Sequence, residues 1–226
     1  MIYVLIPVFN RLKLTKSCIE SIKKHEKDID LSIILVDDGS TDGTSEWVQT
    51  YYPEITILQG TGSLFWGGAI HYGVEYILKI CNPNDYVLLV NNDVFLAENT
   101  IRELVNFSEE KNRQVVVGSL ALDPSNKEKV IKSGTVVKSW FFNRTSHIFM
   151  GQNIENVYGE ESKEVDFLTG RCLLHPVEVF LIAGNYDSYS FRHYGGDDEF
   201  SMRVKKFGIK TYICTSAIVY MQKTSS

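Results

Sequence analysis

Long apolar runs are missing from this chain. The longest, Met1–Phe9 and Tyr86–Val90, stop far short of the ~20 residues that a membrane span needs. No basic stretch precedes Met1–Phe9, which runs straight into Asn10-Arg11, so no cleaved secretory leader is expected. Positive charge is not in excess either. Lys and Arg number 23 against 28 acids, for a net charge of −5, which argues against a broad basic face and a nucleic-acid partner. The four cysteines (Cys18, Cys81, Cys172, Cys214) are widely scattered and form no CxxC pair. That spacing suits reduced, buried thiols in a cytoplasmic protein better than a zinc site or a disulfide frame. Prolines are five, and no Gly-, Ser- or Pro-rich linker, repeat or low-complexity segment interrupts the chain. What remains is 226 residues, 44% of them apolar, enough to bury roughly 70% of the unfolded surface in one domain spanning 1–226.

The first half alternates strand and helix. Ile2–Ile6, Leu31–Val36, Ile55–Leu58, Tyr86–Val90 and Val115–Val117 are short apolar runs bounded by polar residues, as buried strands are. Between them, Leu14/Cys18/Ile22, Ile70/Gly73/Val74/Ile77/Leu78 and Ile101/Leu104/Val105/Ser108 fall at helical spacing, and Thr41–Thr44 supplies turn and cap chemistry for a further helix through Trp47. Such alternation predicts an α/β domain with a mostly parallel central sheet and helices on both faces. The second half reads as mixed. Val130–Val137, Trp140–Phe142 and His147–Met150 have weak hairpin character, Pro176–Ala183 and Glu199–Phe207 read as helices, and Ile209–Tyr220 as closing strands. The change of pattern falls near residue 118, dividing 1–118 from 119–226 within the one domain.

Ligands of parallel sheets sit outside the carboxyl ends of the strands. Three polar loops fall there: Pro7–Arg11, Asp37–Ser40 and Asn91–Asp93. Aspartates at such a rim accept hydrogen bonds from a base or ribose, and hard oxygens such as those of Asn92 and Asp93 suit Mg²⁺ or Mn²⁺ beside phosphates. The densest cluster is His193-Tyr194-Gly195-Gly196-Asp197-Asp198-Glu199, where two glycines leave room for a ligand and three acids open a helix. The helix dipole stabilises ionised carboxylates in that first turn, as a general base requires. Phe65-Trp66, after a glycine-rich loop, and Arg171 are further candidates for sugar, base or phosphate contact.

In this order, PVFNR (7–11), VDDGSTDGT (36–44), NND (91–93), TGRC (169–172) and GDDEFSMR (196–203) resemble the family 2 glycosyltransferases of the GT-A fold. The resemblance runs from residue 2 to about 220. Gly62–Ala69 followed by NND is most similar to bacterial rhamnosyltransferase-like members.

The resemblance implies an inverting transferase that takes a sugar from a nucleotide-diphosphate donor, a UDP- or dTDP-sugar such as dTDP-rhamnose. The acceptor implied is a hydroxyl of a saccharide or lipid-linked saccharide in cell-surface polysaccharide synthesis, with peripheral contact at the inner face of the membrane. Pro7 and Phe9 would wall the base, with Asn10, Arg11, Asp38, Gly39, Trp66, Asn92 and Arg171 completing the nucleotide-sugar site. Asp93 would hold Mg²⁺ or Mn²⁺. Asp197 or Asp198 would be the catalytic base, and Glu199 and His193 would meet the acceptor. Three positions depart from the family pattern: Asn92 replaces the first acid of the metal motif, Gly196 replaces an acid, and Tyr220 and Gln222 stand where many members have a metal-binding histidine. Metal dependence is therefore open at this point, as are a non-catalytic sugar-nucleotide-binding role and a nucleotidyltransferase of related fold.

Overall fold

The computed structural model describes residues 1–25, 28–123 and 125–222. The first half runs β1 (Ile2–Val8), α1 (Leu12–His25), β2 (Leu31–Asp37), α2 (Thr44–Tyr51), β3 (Thr56–Gln59), α3 (Phe65–Ile77), β4 (Tyr86–Val90), β5 (Val94–Leu96), α4 (Thr100–Glu110) and β6 (Val115–Asp123). The second half contributes β7 (Asn126–Lys132), β8 (Thr135–Ser139), β9 (Arg144–His147), β10 (Lys163–Glu164), β11 (Cys172–Pro176), α5 (Val177–Ala183), α6 (Gly196–Lys206) and β12 (Lys210–Met221).

The strands join in the order β10-β12-β6-β11-β4-β1-β2-β3. Strands β3, β2, β1 and β4 are mutually parallel, as the strand–helix alternation requires. Side-chain alternation along β1 divides the core in two. Val4, Ile6 and Val8 face Cys18, Ile19 and Ile22 of α1, Val48 of α2, and Ile101 and Leu104 of α4. Leu5 faces Ile70, Val74 and Ile77 of α3 on the other side, in the same cluster as Phe180 of α5 and Phe200 and Val204 of α6. Each such fully buried side chain contributes roughly 1.5–3 kcal/mol against exposure.

Of the strands that went unread in the sequence, two matter to the site. Cys172–Pro176 is the fully buried β11, antiparallel to both β4 and β6. Val94–Leu96 is a three-residue strand paired with the end of β12, Val219 opposite Leu96 and Met221 opposite Val94. Both are too short to show a period, and both fix site loops: β5 turns the chain at Asn91–Asp93, and β11 follows Thr169–Arg171. The sheet is continuous across residue 118, because β11 of the second half lies between β4 and β6 of the first. The hairpin character near residue 140 resolves into β8 and β9, a two-stranded sheet of their own. The cysteines form no disulfide among the described residues, and Cys18, Cys172 and Cys214 are buried. No helix among those residues is long and apolar enough to cross a membrane.

Candidate active site

The carboxyl ends of β1, β2 and β4 open into a cleft of about 600 Å³. That is the size range of small-molecule sites. Pro7, Phe9 and Arg11 line one side, Asp38, Phe65 and Trp66 another, Asn91–Asp93 the floor, and Thr169–Arg171 with His193–Gly195 and Asp197 the far wall. The strand-end loops singled out from the sequence thus meet at one place.

The β2 loop is held by its own aspartates. Asp38 is buried; its Oδ1 accepts the Gly62 amide at 2.8 Å, and its Oδ2 accepts those of Leu64 and Phe65 at 2.8 and 2.9 Å. The carboxylate expected to read a base is therefore first a clamp that seats the start of α3 at the cleft. Gly39 (φ +83°) makes the turn beside it, and a Cβ there would stand 3.3 Å from the Gly62 backbone, so this position shapes the loop from outside the cleft lining. Asn10 is likewise a tie between loops. Its amide donates to Ser40 Oγ at 2.7 Å and its Oδ1 accepts the Thr41 amide at 2.9 Å. Asn10 and Arg11 both take left-handed conformations (φ +57° and +64°), uncommon for non-glycine residues and enriched at functional sites. The turn that results brings Arg11 to the cleft.

On the floor, Asn91 Oδ1 accepts the Trp66 indole N–H at 2.9 Å, and its amide donates to the Arg171 carbonyl at 2.9 Å. Asn92 is buried with its Nδ2 donating to Thr15 Oγ1 of α1 at 3.1 Å, so it anchors the loop to that helix. Asp93 differs from its neighbours. Its Oδ1 is buried with no hydrogen-bond partner among the described residues, which costs about 1–3 kcal/mol unless a ligand satisfies it.

The fit of a divalent ion rests on that oxygen. No group of three or more His, Cys, Asp or Glu side chains is assembled among the described residues. Tyr220 stacks on Phe95 at 5.0 Å, and Gln222 donates its side-chain amide to the Leu14 carbonyl at 3.3 Å and its backbone amide to the Asp93 carbonyl at 2.7 Å. One orphaned carboxylate oxygen on a residue that lines the cleft is compatible with the way Mg²⁺ and Mn²⁺ are held, by one or two carboxylates plus substrate phosphates. Arg11 and Arg171 border the same space, and their side chains make no ion pair among the described residues.

The acidic cluster separates into three environments. Asp197 faces the cleft from the first turn of α6; its Oδ2 accepts the Gly170 amide at 2.7 Å and its Oδ1 the Asp198 amide at 3.1 Å. Asp198 is exposed and outside the cleft lining. Neighbouring protein atoms and the Asp197 charge raise its carboxyl above the usual range, an effect that water on its open side keeps small. Glu199 turns away altogether. Arg203 grips it in a fork (Nε to Oε1 2.8 Å, Nη2 to Oε2 2.7 Å) while Nη1 donates to the Ala183 and Asn185 carbonyls at 2.6 and 2.9 Å. Glu199, which the sequence suggested would meet an acceptor, is thus engaged by the arginine at its i+4 position.

Aromatic rings finish the wall. His193 packs against Phe65 in a tilted arrangement with ring centroids 3.8 Å apart, and Tyr194 lies 6.4 Å from His193. Phe65 and Tyr194 both line the cleft; Tyr194 stood in the cluster singled out from the sequence but was given no role of its own there. His71 contacts the Tyr186 carbonyl through Nδ1 at 2.7 Å.

With this geometry in place, the matches to known proteins become informative. Residues 3–162 match the sequence model of Glycosyl transferase family 2. The chain belongs to that family. As a family 2 glycosyltransferase it is similar to N-acetylglucosaminyl-diphospho-decaprenol L-rhamnosyltransferase of Mycobacterium tuberculosis, 24% identical over 213 residues, 87% of this chain and 68% of that protein. Among solved structures it is similar to GalNAc-T7 with UDP, GalNAc and Mn²⁺ (TM-score 0.76, 14% identity, covering 99% of this chain and 44% of the other). A mannosyltransferase of Pyrobaculum calidifontis in complex with GDP-Man and Mn²⁺ gives a TM-score of 0.68 at 14% identity, covering 99% of this chain and 57% of the other. At that identity the likeness establishes the GT-A glycosyltransferase fold. This family 2 chain spans about half the length of those two solved proteins.

Proposed function

We propose that the chain transfers a sugar, with inversion, from a UDP- or dTDP-linked donor to a hydroxyl of a saccharide or lipid-linked saccharide in cell-surface polysaccharide synthesis. It would act in the cytoplasm, with dTDP-rhamnose the first donor to test. The similarity to a rhamnosyltransferase named for a lipid-linked saccharide supports that choice of donor and acceptor class.

The observation that carries the reading is the placement of Asp197. Of the three acids that open α6, it alone lines the cleft, with its carboxylate held by the Gly170 and Asp198 amides. A carboxylate oxygen has two lone pairs, so each oxygen that accepts one amide retains acceptor capacity. In the proposed step Asp197 takes the proton of the acceptor hydroxyl. That oxygen attacks the anomeric carbon, and the bond to the diphosphate breaks on the opposite side. Arg11 and Arg171 meet the charge gathering on the diphosphate. Pro7 and Phe9 offer an apolar wall to the base, and Asp93 would hold Mg²⁺ or Mn²⁺, which when bound supplies further neutralisation of the leaving group. His193, packed against Phe65, would flank the side from which an acceptor approaches.

Asp197→Asn keeps the side-chain size and removes the base. Transfer from the donor should fall by about 10²-fold or more, with nucleotide-induced thermal stabilisation intact. Transfer within a few-fold of the parent would remove Asp197 from this role. Nucleotide binding with no transfer by the parent protein to any acceptor would favour the non-catalytic reading.

A further inference from the structure

The two-stranded sheet β8–β9 ends in a turn that breaks the usual chemistry of turns. Residues 140–143 are Trp-Phe-Phe-Asn, where glycine, proline, aspartate and asparagine ordinarily dominate. Only Asn143, with φ +47°, follows the rule. Trp140, Phe141 and Phe142 are 67%, 89% and 71% exposed, and Phe141 and Phe142 touch edge to face at 5.0 Å. Packing on the body of the protein does not explain Phe141 and Phe142, which pair with each other in water at the hairpin tip, and apolar clusters of this kind mark interaction surfaces.

The charge around the tip narrows the partner. Residues 126–150 carry five basic side chains (Lys127, Lys129, Lys132, Lys138, Arg144) and one acidic, Glu128, in a chain whose net charge is −5. None of the five forms an ion pair among the described residues, and Lys138 and Arg144 flank the aromatic turn on its two strands, both exposed. An apolar, aromatic tip with a cationic collar is complementary to a bilayer interface bearing anionic headgroups: the rings enter the acyl boundary and the Lys and Arg side chains stay among the phosphates. A second copy of the chain, net acidic but with this basic collar facing itself across a two-fold axis, is electrostatically the poorer partner.

The tip is also connected to the cleft. Trp140 packs edge-on to Phe167 with centroids 6.2 Å apart, and Thr135 pairs with Phe167 through backbone hydrogen bonds of 2.9 and 3.0 Å. Phe167 stands two residues before Thr169, the start of the wall segment whose Gly170 amide holds Asp197. We infer that the Trp140–Phe142 tip is a peripheral membrane-docking element that seats the protein on an anionic lipid surface with the Thr169–Arg171 wall of the cleft close behind it. This rests on the hairpin alone and does not require the reading of the cleft to be right.

Flotation of the whole chain with phosphatidylcholine vesicles, and with vesicles of equal parts phosphatidylcholine and phosphatidylglycerol, tests it directly. The protein should float with the anionic vesicles, release as salt rises, and stay behind with phosphatidylcholine alone. Phe141→Ser/Phe142→Ser should weaken anionic-vesicle binding by about tenfold or more, and Lys138→Glu/Arg144→Glu similarly, with nucleotide-induced thermal stabilisation unchanged in both. No binding to anionic vesicles, or equal binding by the Phe141→Ser/Phe142→Ser variant, would overturn the inference. So would a dimer in sedimentation that this variant dissociates while the parent ignores vesicles, since the tip would then cover a second copy.

Discussion

Gly170 does two jobs with one backbone. Its amide holds the Asp197 carboxylate, and its missing side chain leaves room for Trp66, whose ring carbon Cζ2 would lie 2.4 Å from an added Cβ. The indole has little freedom to retreat: its N–H is spent on Asn91, and its ring meets Tyr186 edge-on at 5.8 Å. Gly170→Ala should therefore cost about 1–3 kcal/mol and lower transfer at least tenfold by moving both Trp66 and the Asp197 partner. Calorimetry beside a transfer assay would show it, and an alanine variant with parental activity would contradict the argument. Beneath this layer His175 is fully buried, with Nδ1 against the Leu173 carbonyl and Nε2 3.2 Å from the Tyr186 hydroxyl. The carbonyl fixes Nδ1 as donor, so Nε2 accepts from the tyrosine. Burial pushes this imidazole down from 6.5 to about 4. Because the folded value is the lower one, the unfolded chain takes up a proton first. Stability from this group is complete above pH about 6.5 and is lost as pH falls toward 4, by on the order of 3 kcal/mol in all. Urea unfolding between those pH values should show the slope, and His175→Gln, which does not titrate, should lack its share of it.

At the scale of elements, α6 carries both the chemistry and its support. Asp197 in the first turn looks into the cleft, and two positions later Glu199 looks back toward α5. There Arg203 joins it to the carbonyls of Ala183, the last residue of α5, and Asn185 just beyond it. Removing the arginine leaves two carbonyls and a part-buried carboxylate short of a donor, so Arg203→Met should destabilise by about 2–3 kcal/mol. Glu199→Gln should lower the melting temperature while transfer stays within a few-fold. A collapse of transfer at unchanged melting temperature would instead put Glu199 on the acceptor. The sequence displayed the three acids but not this division of labour. Adjacent side chains in a first turn point roughly 100° apart, and which one meets the ligand depends on how α6 is rotated against Trp66 and Phe191. The same limit hid the clamp made by Asp38. Its position at the end of β2 was legible, whereas the amides of residues 62, 64 and 65 that fill its oxygens come from another loop.

The parallel half of the whole molecule could be read in advance because β1, β2 and β4 are buried on both faces and leave unbroken apolar runs in the sequence. Strand β11 could not, since His175 and Pro176 cut its apolar run to three residues and its antiparallel place between β4 and β6 is set by the rest of the sheet. That insertion brings Arg171, Gly170 and Asp197 to a cleft whose other wall comes from β1 and β2, so donor binding should brace both halves of the chain at once. A ligand that binds only the folded protein, at about 100 times its dissociation constant, adds roughly 2.7 kcal/mol, a rise on the order of 5–10 °C for a domain of this size. UDP, dTDP, GDP and CDP, each with and without Mn²⁺, should therefore separate in a thermal unfolding scan, with UDP or dTDP giving the larger rise. The orphaned Asp93 Oδ1 makes the metal's share testable. Asp93→Asn keeps the shape of the floor but not its charge, so it should retain the metal-free rise from the nucleotide and lose the increment added by Mn²⁺. An increment that survives in Asp93→Asn would place the ion elsewhere, and a parent protein with no increment at all would leave the diphosphate to Arg11 and Arg171.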